Sequence, residues 1–479
     1  MNKVVVTTRF APSPTGYTHL GNLRTALFNA LLARAADGEF LLRSEDTDRD
    51  RSAEKYLDAL CDDLRWLGLD WDLGPGMEDP AGGRGPFRQS ERQAIYQAWF
   101  DRLSEQRLAY PCFCSREELE KSRRKQQRAN QAPRYAGTCR ELDDQEIDER
   151  LLADQRPTLR YWVADEGVVE FSDLAKGPQK FELADIGDFI IRRSDGTPAF
   201  FFSNALDDSL MGVTHVLRGE DHLANTPRQI VLLHSLGLNV PAYGHLSLIV
   251  GDDGKPLSKR KGAASLKDLR AKGYLPAALN NHLFRLGHAS DSGELMTLAE
   301  LAARFDCARL GRAPARHDPV QLDHWQKLAV MKLSDAEVKT WLGAGGDGSF
   351  LDGMVPADQE EAFINLVRDN LQRPAEGADW AKILFRDEPM AGGLIAAELS
   401  DSGADFFATA VRSWGNGHDS FGDFSRELSE KTGRKGKKLF QPLRLALTGE
   451  LHGPELEKIA ALMGKDRVER RLREAAERC

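Results

Sequence analysis

Three features that are scarce in this 479-residue sequence limit the classes to which it can belong. It has no apolar stretch near 20 residues, because runs such as 230–233 end at polar residues, and this excludes a membrane-spanning helix. It also lacks an excess of positive charge: the net charge of −9 argues against a histone-like binder but allows local basic patches that contact phosphates. Cysteine is sparse, and six scattered cysteines do not make the framework of a disulfide-rich protein.

The rest of the composition is typical of a folded protein with several domains. The length suggests about three domains, and 41% hydrophobic with 29% charged residues excludes a wholly disordered chain. The N-terminal segment 1–9 has too short an apolar run for a signal peptide. We therefore expect a cytoplasmic protein that does not bind membranes.

Strand and helix patterns alternate in two parts of the chain. The predicted elements are strands at 4–8, 40–42, 213–218 and 246–250 and helices at 19–34 and 226–236. An acidic loop at 45–48 closes the second strand. Strand–helix–strand units with short loops are typical of a parallel nucleotide-binding sheet of the Rossmann type.

The segment 107–195 separates these two parts and differs in character. It is rich in Lys and Arg over 116–140 and has short β-like runs at 168–171 and 189–193. We interpret it as an inserted α+β module. Beyond about residue 265, nearly every segment has helical periodicity. The predicted fold class is therefore α/β, a Rossmann-like parallel-sheet domain with an α+β insertion, followed by an all-α C-terminal region.

A proline-rich turn leads from the first predicted strand into the first helix. It reads Arg9-Phe-Ala-Pro-Ser-Pro-Thr-Gly16, and His19-Leu-Gly-Asn22 follows. An open parallel sheet binds its ligand at this place, where the free N–H groups of a helix N-terminus favour phosphate. His19 adds a donor, and Gly21 lets a nucleotide approach the backbone. The alternative is a helix-capping histidine beside a packing glycine.

A second motif, Lys255-Pro-Leu-Ser-Lys-Arg-Lys261, follows the predicted strand at 246–250 and a turn at 251–254. A mobile loop that carries several cations can clamp phosphates in a transition state and neutralise leaving pyrophosphate. The alternative is a solvated basic loop, which most runs of like charge are.

The two motifs together resemble the signature pair of the class I aminoacyl-tRNA synthetases. His19-Leu20-Gly21-Asn22 resembles the HIGH motif. Pro256-Leu257-Ser258-Lys259-Arg260 resembles the KMSKS motif, with Pro256 where the family usually has lysine and Lys255 beside it. The resemblance narrows to glutamyl-tRNA synthetases of the bacterial type at segments 9–16, 44–48, 207–222 and 257–260 and at 441–449, which is similar to part of their anticodon-binding end.

The resemblance implies a set of residues that bind glutamate: Arg9, Ala11, Ser13, Glu45, Phe200, Asn204 and Arg218. Arg9 and Arg218 can each pair with a carboxylate, and Glu45 can bind the ammonium group. Phe200 stands where the family usually has a tyrosine, so the usual phenol contact is missing. The alternative for Arg9, Glu45 and Arg218 is structural ion pairing.

The implied reaction is the ligation of glutamate to tRNA in two steps. The α-carboxylate of L-glutamate attacks the α-phosphate of ATP, and the 3′-terminal adenosine of tRNA(Glu), tRNA(Gln) or both then takes the glutamyl group from glutamyl adenylate. His19 and Lys259 are the implied catalytic residues, which act by positioning and charge stabilisation. The implied ATP-binding residues are His19, Gly21, Asn22, Leu257, Ser258, Lys259 and Arg260. We expect Mg²⁺ with the nucleotide.

The resemblance also implies a division of the chain. The catalytic domain comprises 1–106 and 196–255, the insertion 107–195 binds the tRNA acceptor end, 256–319 is the lysine-loop and stem-contact region, and 320–479 is the helical anticodon-binding domain. Basic stretches at 121–128 and 431–438 suit contacts with tRNA phosphates, and the alternative for each is a solvated face. Because no heptad or interface pattern is present, we expect a monomer.

Three cysteines close in sequence suggest a metal site. Cys112, Cys114 and Cys139 can hold Zn²⁺ if a fourth ligand exists, and no histidine lies nearby. Zinc-bearing members of the resembled family use a tyrosine at the position of Tyr135, so the resemblance implies a structural zinc bound by Cys112, Cys114, Tyr135 and Cys139. The alternative is three free thiols.

Two other functions compete with the ligase. One is that of a truncated relative that glutamylates a modified base within tRNA; the long segment after the lysine loop argues against it. The other is that of a catalytically silent tRNA-binding paralogue. The presence of Arg9, His19, Glu45, Arg218 and Lys259 argues against that possibility.

Overall fold

The computed structural model describes residues 5–47, 54–80, 82–257, 265–343, 353–386, 402–418 and 420–479. The chain forms two compact units: Met1–Lys267 with Leu279–Pro319, and Asp268–Ala278 with Val320–Cys479. The strands are β1 (Thr7–Phe10), β2 (Glu39–Leu42), β3 (Ala109–Cys112), β4 (Thr158–Tyr161), β5 (Val168–Asp173), β6 (Gly177–Glu182), β7 (Phe189–Arg192), β8 (His215–Gly219), β9 (Ala242–Leu246), β10 (Ile249–Val250) and β11 (Ala315–Arg316).

The α-helices up to residue 331 are Leu20–Ala35, Glu54–Trp66, Gln93–Glu105, Arg116–Arg128, Asp144–Leu152, Leu183–Ile186, Phe200–Leu210, Thr226–Ser235, Leu266–Ala271, Pro276–Arg285, Leu298–Arg304 and Pro319–Met331. Those that follow are Asp335–Gly343, Glu360–Val367, Pro374–Phe385, Ala404–Trp414, Phe421–Thr432, Lys437–Thr448, Leu456–Met463 and Lys465–Arg478. Among the described helices, none combines the length and the apolar character that crossing a membrane requires.

A parallel sheet with strand order β2–β1–β8–β9 forms the centre of the first unit. All four residues of β1 are buried, and the helix Leu20–Ala35 that follows it buries Leu23, Leu27 and Leu31 completely. The helix Leu20–Ala35 connects β1 to β2, and the helix Thr226–Ser235 connects β8 to β9, so the sheet contains two parallel strand–helix–strand units. The predicted parallel sheet is confirmed.

Two predicted strands have different bounds in the structure. The first begins at Thr7 rather than at residue 4: Val5 is 52% exposed and precedes the strand, and Val4 lies outside the described residues. The prediction of a strand at 246–250 was wrong in part, because β9 ends at Leu246 and Ile249–Val250 pairs with β11 outside the main sheet. The low hydrophobicity of Gly244 and His245 hides β9 from pattern analysis.

The inserted segment is an α+β structure, as predicted. Its antiparallel sheet has the order β3–β4–β7, and β5 pairs with β6 in a hairpin. The helices Arg116–Arg128 and Asp144–Leu152 bury no residue, and each begins with a capping box. The capping boxes supply partners for N–H groups at the starts of these two helices.

The second unit has its own core, to which helices contribute along its length. Phe363, Phe407 and Phe424 come from three different helices and are fully buried in it. The predicted all-α C-terminal region is confirmed.

Candidate active site

The helix Leu20–Ala35 begins at the carboxyl end of β1, as the first motif predicts. His19 is its N-cap, and the backbone N–H of Gly21 donates to the Nδ1 atom of His19 at 3.2 Å. A Cβ atom at residue 21 would lie 3.1 Å from the His19 ring, so the close approach of ring and backbone favours glycine. The first turn therefore combines an imidazole with the positive end of a helix dipole.

A network of buried ion pairs surrounds Arg9. Its Nε lies 3.2 Å from Oδ1 of Asp208, which also pairs with Nη1 of Arg43 at 2.7 Å. Nη2 of Arg43 pairs in turn with Glu45 at 3.1 Å, and the side-chain amide of Asn204 donates to the same Glu45 oxygen at 2.6 Å. All five side chains are buried.

The two carboxyls of this network have opposite pKa shifts. Burial alone would raise the pKa of Asp208, but the guanidinium groups of Arg43 and Arg9 lower it below its usual range. Burial raises the pKa of Glu45 and outweighs the effects of Arg43 and Asn204. Its arginine partners therefore favour the charge of Asp208, whereas burial disfavours the charge of Glu45.

Arg218 on β8 is held by hydrogen bonds from most of its guanidinium group. Nε donates to Nε2 of His245 at 3.1 Å, and Nη2 donates to Thr226 at 2.8 Å and Gln229 at 2.7 Å. Within the described part of the chain, the one hydrogen bond of Nη1 is a long contact of 3.4 Å with the Asn204 amide oxygen. Burial lowers the pKa of Arg218 to about 10, which leaves a cation at neutral pH.

These groups meet in one cleft of about 500 Å³ within the first unit. Phe10, Gly219 and Leu246, the last residues of β1, β8 and β9, line it, so the cleft lies at the carboxyl edge of the parallel sheet. The cleft is also lined by these residues of the predicted site: Arg9, Ala11, Ser13, His19, Gly21, Asn22, Glu45, Phe200, Asn204 and Arg218.

The lysine loop is described only at its start. Among its described residues, Pro256 lines the cleft and Leu257 does not; the N–H of Leu257 donates to the carbonyl of Ile249 at 3.1 Å. Ser258, Lys259 and Arg260 lie outside the described residues.

Sequence reasoning missed several residues of the site. Arg24 lines the cleft one turn after Gly21, and its guanidinium donates to the carbonyls of Leu286 and Ser247. Arg43, Asp208 and His245 support the lining from behind. Asp208 carries a readable signal, because Asp207 and Asp208 stand in the apolar helix Phe200–Leu210. His245 carries none, because nothing near it in the chain marks its partner.

The three predicted cysteine ligands converge in the inserted segment. The sulfurs of Cys112, Cys114 and Cys139 lie within 4.8 Å of one another. The Tyr135 hydroxyl lies 3.4 Å from the first two sulfurs and accepts the backbone N–H of Cys139 at 2.9 Å. Three thiols and a phenol therefore surround one point, a donor set that suits Zn²⁺.

The electrostatics of this cluster favour an anionic sulfur. Burial would raise the pKa of Cys112, but hydrogen bonds with Tyr135 and Arg160 lower it to about 7. Burial raises the pKa of Cys114 to about 11. The guanidinium of Arg160 lies 3.8 Å from the centre of the Tyr135 ring, so a cation lies beside the cluster.

The two basic stretches have different surroundings. The stretch at 121–128 lies on the helix Arg116–Arg128, which buries no residue, so its basic side chains are accessible at the surface. In the second unit, a cavity of about 880 Å³ is lined by Arg434, Lys435, Lys437 and Lys438 together with Ser402, Gly433, Gln441, Pro442 and Leu445. This second group has the concave, basic character of a site for a polyanion.

Known proteins are similar to this chain over its whole length. The family model of the catalytic domain of class I tRNA synthetases (E and Q) matches residues 5–324, and that of an anticodon binding domain matches 336–476. Glutamate–tRNA ligase 2 of Nitrosococcus oceani is 54% identical over 98% of both chains. Glutamate–tRNA ligase 1 of Halorhodospira halophila is 49% identical over 99% of this chain and 98% of the relative.

A solved structure is similar as well. The crystal structure of a glutamate tRNA ligase from Elizabethkingia meningosepticum, in complex with its amino acid, has a TM-score of 0.85 and 26% identity. The similarity covers 98% of this chain and 99% of that one.

Proposed function

This chain belongs to the family of class I tRNA synthetases for glutamate and glutamine, and on that basis we propose that it is a glutamate–tRNA ligase. It uses ATP to convert L-glutamate to glutamyl adenylate and transfers the glutamyl group to the 3′-terminal adenosine of tRNA(Glu), with tRNA(Gln) as a second candidate acceptor. The observation that carries the proposal is the single cleft at the carboxyl edge of the sheet, where charged side chains and a helix N-terminus meet.

The charges in the cleft complement glutamate. Arg9 and Arg218 supply two cations and Glu45 one anion, whereas glutamate has two carboxylates and one ammonium group. Asp208 and Arg43 hold Arg9 and Glu45 from behind, so the charges are arranged before the substrate arrives. Ala11, Ser13, Phe200 and Asn204 form the rest of the proposed glutamate pocket.

The start of the helix Leu20–Ala35 is the proposed phosphate site for ATP. Because Nδ1 of His19 accepts the N–H of Gly21, the ring proton lies on Nε2, where it is a donor for a phosphate oxygen. Gly21 and Asn22 complete this part of the site, and Leu257, Ser258, Lys259 and Arg260 are further residues proposed to bind ATP. Mg²⁺ accompanies the phosphates, and His19 and Lys259 stabilise charge that develops as pyrophosphate leaves.

The transfer step needs no protein nucleophile. The hydroxyl of the terminal ribose attacks the adenylate carbonyl, and AMP leaves. The protein positions the two reactants and excludes water. Positioning of this kind removes a large part of the activation barrier of a reaction between two bound groups.

A structural zinc is proposed in the inserted segment, with Cys112, Cys114, Tyr135 and Cys139 as its ligands. Bound there, the metal would link β3 to the loop that follows the helix Arg116–Arg128. The cluster is separate from the cleft residues, so its role is to hold the segment that we assign to the tRNA acceptor end.

The remaining parts of the chain are assigned to tRNA. We propose catalytic halves at 1–106 and 196–255, acceptor-end contacts at 107–195, stem contacts at 256–319 and anticodon contacts at 320–479. The basic cavity around Lys437 supports the last assignment. We further propose that the chain acts in the cytoplasm and that it is a monomer. Sedimentation of the purified protein tests the oligomeric state.

Pyrophosphate exchange tests the proposal. Exchange of labelled pyrophosphate into ATP should require glutamate, and aspartate or glutamine should not replace it. The assay is run with and without tRNA, because the requirement for tRNA is part of what it measures. Absence of exchange in both cases, combined with normal tRNA binding, would support the silent paralogue instead.

The same preparation separates the ligase from the base-modifying relative. Glutamate should become attached to intact tRNA but not to tRNA from which the terminal adenosine has been removed. Equal attachment to both would contradict transfer to the 3′ end.

A further inference from the structure

A chain of buried polar groups runs from Arg218 to the inserted segment. Nε of Arg218 donates to Nε2 of His245 at 3.1 Å, and Nδ1 of His245 lies 2.5 Å from Oδ2 of Asp173. Arg218 and His245 are register partners in the parallel pair β8–β9, while Asp173 is the last residue of β5 in the insertion. The exposed fractions of Arg218, His245 and Asp173 are 5%, 0% and 3%.

The hydrogen bonds define the tautomer of His245. Oδ1 of Asp173 accepts the backbone N–H groups of Ala175, Lys176 and His245, at 2.9, 2.7 and 3.2 Å. The carboxyl of Asp173 is therefore an acceptor throughout, and its Oδ2 accepts a hydrogen bond from the N–H at Nδ1 of the ring. Nε2 is left with a lone pair, which accepts the N–H of Arg218 and also lies 3.0 Å from the Thr226 hydroxyl oxygen.

The pKa shifts agree with a neutral ring beside a carboxylate. Burial lowers the pKa of His245 and outweighs the effect of Asp173. Burial would raise the pKa of Asp173, but the hydrogen bonds from His245 and from the backbone lower it.

The contact between the insertion and β9 is closely packed at this point. The backbone N–H of Leu174 donates to the carbonyl of Tyr243 at 2.8 Å. A Cβ atom at Gly244 would lie 3.1 Å from the Leu174 Cβ and 2.6 Å from the Leu217 side chain. A glycine between Tyr243 and His245 therefore allows the turn after β5 to come within hydrogen-bonding distance of His245.

We propose that Asp173 and His245 are positioning residues that orient the guanidinium of Arg218 toward glutamate. The inference rests on the proposed role of Arg218 in glutamate binding. His245 holds Nε, and Thr226 with Gln229 holds Nη2, so Nη1 is the nitrogen left to donate to the substrate carboxylate. Its 3.4 Å contact with Asn204, another residue of the cleft, is weak enough to give way.

The substitution Asp173→Asn tests the tautomer. The amide oxygen of asparagine can keep the backbone N–H groups, but its NH₂ group then faces Nδ1 and moves the ring proton to Nε2, where two donors meet. We expect the KM for glutamate in tRNA charging to rise about tenfold or more, the loss typical of a hydrogen bond to a charged group. The KM for ATP should stay unchanged.

Asp188→Asn is the matched control. Asp188 is another buried carboxylate of the insertion, and it bonds Tyr110, Arg140 and the backbone of Val163 rather than the cleft. This variant should leave the KM for glutamate unchanged even if it lowers thermal stability.

A second background separates positioning from a structural role. In His245→Gln, the amide oxygen can accept the N–H of Arg218, and an amide has no tautomer for Asp173 to select. The KM for glutamate of this variant should therefore stay within about threefold of that of the unsubstituted chain. Adding Asp173→Asn to His245→Gln should change this KM little. An equal loss from Asp173→Asn in both backgrounds would overturn the inference, as would an unchanged KM in the single variant. If Asp173→Asn fails to fold, the test is His245→Leu, whose side chain has no hydrogen-bond acceptor. The KM for glutamate of His245→Leu should exceed that of His245→Gln about tenfold. Equal KM values for these two variants would overturn the inference.

These results are distinguishable from failure of the proposed function. Lack of glutamate-dependent exchange by the unsubstituted chain would contradict the ligase itself. An active chain that tolerates Asp173→Asn would contradict only the positioning role.

Discussion

At the scale of single residues, the cleft has two acids with different tasks. Asp208 holds Arg9 and Arg43 and lies behind the surface of the cleft, while Glu45 lines it. The pKa of Asp208 is lowered by its arginine partners against the effect of burial, and the pKa of Glu45 is raised by burial. A charge that faces a ligand site and is disfavoured by burial is typical of a residue kept for function rather than for stability.

We predict that Glu45→Gln makes the free protein more stable at pH 7 and raises the KM for glutamate about tenfold or more. Because the pKa of Glu45 is raised by folding, its contribution to stability is present below the unfolded pKa and is lost as the pH rises through the folded pKa. Removing the charge should therefore raise the melting temperature at pH 7. Thermal denaturation and charging kinetics measure the two effects.

Glu54→Gln provides a control of opposite sign. A hydrogen bond from Arg88 lowers the pKa of this exposed glutamate, so its substitution should not raise the melting temperature. A lower melting temperature of Glu45→Gln at pH 7 would contradict the prediction.

We predict that His19→Ala lowers the rate of adenylate formation about 100-fold or more with little change in glutamate affinity. The imidazole donor would act on charge that develops only in the transition state. Pyrophosphate exchange at saturating substrates measures the rate, and His234→Ala, at an exposed histidine outside the cleft, is the control. A folded His19→Ala protein with a near-normal rate would refute the assignment.

Sequence reasoning identified the residues of the cleft that lie at strand or helix ends. Arg9, His19 and Arg218 stand beside turns or motifs that mark the carboxyl edge of a sheet. Their partners could not be found in the same way, because the ion pair of Arg9 with Asp208 joins residues 199 positions apart. The sequence marks Asp208 as an acid within an apolar helix, but without the fold nothing in it pairs Asp208 with Arg9.

At the scale of elements, local pattern predicted what local forces determine. The bounds of the helix Leu20–Ala35 were predicted within one residue at each end, because its apolar face and its N-cap can both be recognised in the local sequence. Strand β9 was misplaced because Gly244 and His245 contact the insertion and do not follow the hydrophobic pattern of a strand. Tertiary contacts therefore decide where β9 lies.

We predict about one Zn²⁺ per chain in protein purified without chelators, and its loss in Cys112→Ser. Three sulfurs and a phenol oxygen close a structural site, and removing one ligand opens it. Elemental analysis measures the metal. Cys61→Ser, which changes a cysteine on the helix Glu54–Trp66, should keep it.

The kinetics of the same variant test the separate role of the insertion. Cys112→Ser should slow tRNA charging more than it slows adenylate formation, because the three cysteines are not among the residues that line the cleft at the sheet edge. Unsubstituted protein without zinc would refute the metal site.

At the scale of the whole molecule, the division of labour follows the two matched domains. Residues 5–324 match a catalytic domain and 336–476 an anticodon-binding domain, and the cleft lies wholly within the first match. The second unit should therefore choose the tRNA without affecting the chemistry of activation.

We predict that neutralising Lys435, Lys437 and Lys438 weakens tRNA binding and flattens its dependence on salt by up to about three units of slope. These lysines line the basic cavity of the second unit. For each lysine that contacts a phosphate, its loss should reduce the number of counterions released from the tRNA on binding by about one. Filter binding across a salt series measures the slope, and the KM for ATP should not change.

Three lysines elsewhere in the same unit serve as the charge-matched control. Neutralising Lys332, Lys339 and Lys382 changes the net charge by the same amount but leaves the cavity intact. Their loss should leave the slope nearly unchanged. An equal slope for both triple variants would leave the basic cavity without a role in tRNA binding.

The most direct measurement of the central claim is the charging reaction itself. The purified chain is incubated with labelled glutamate, ATP, Mg²⁺ and unfractionated tRNA, and acid-precipitable label is counted over time. We predict glutamyl-tRNA formation that needs both ATP and an intact 3′ end, and that falls about 100-fold or more in His19→Ala. Failure of the active, folded chain to attach glutamate to any tRNA would contradict the account.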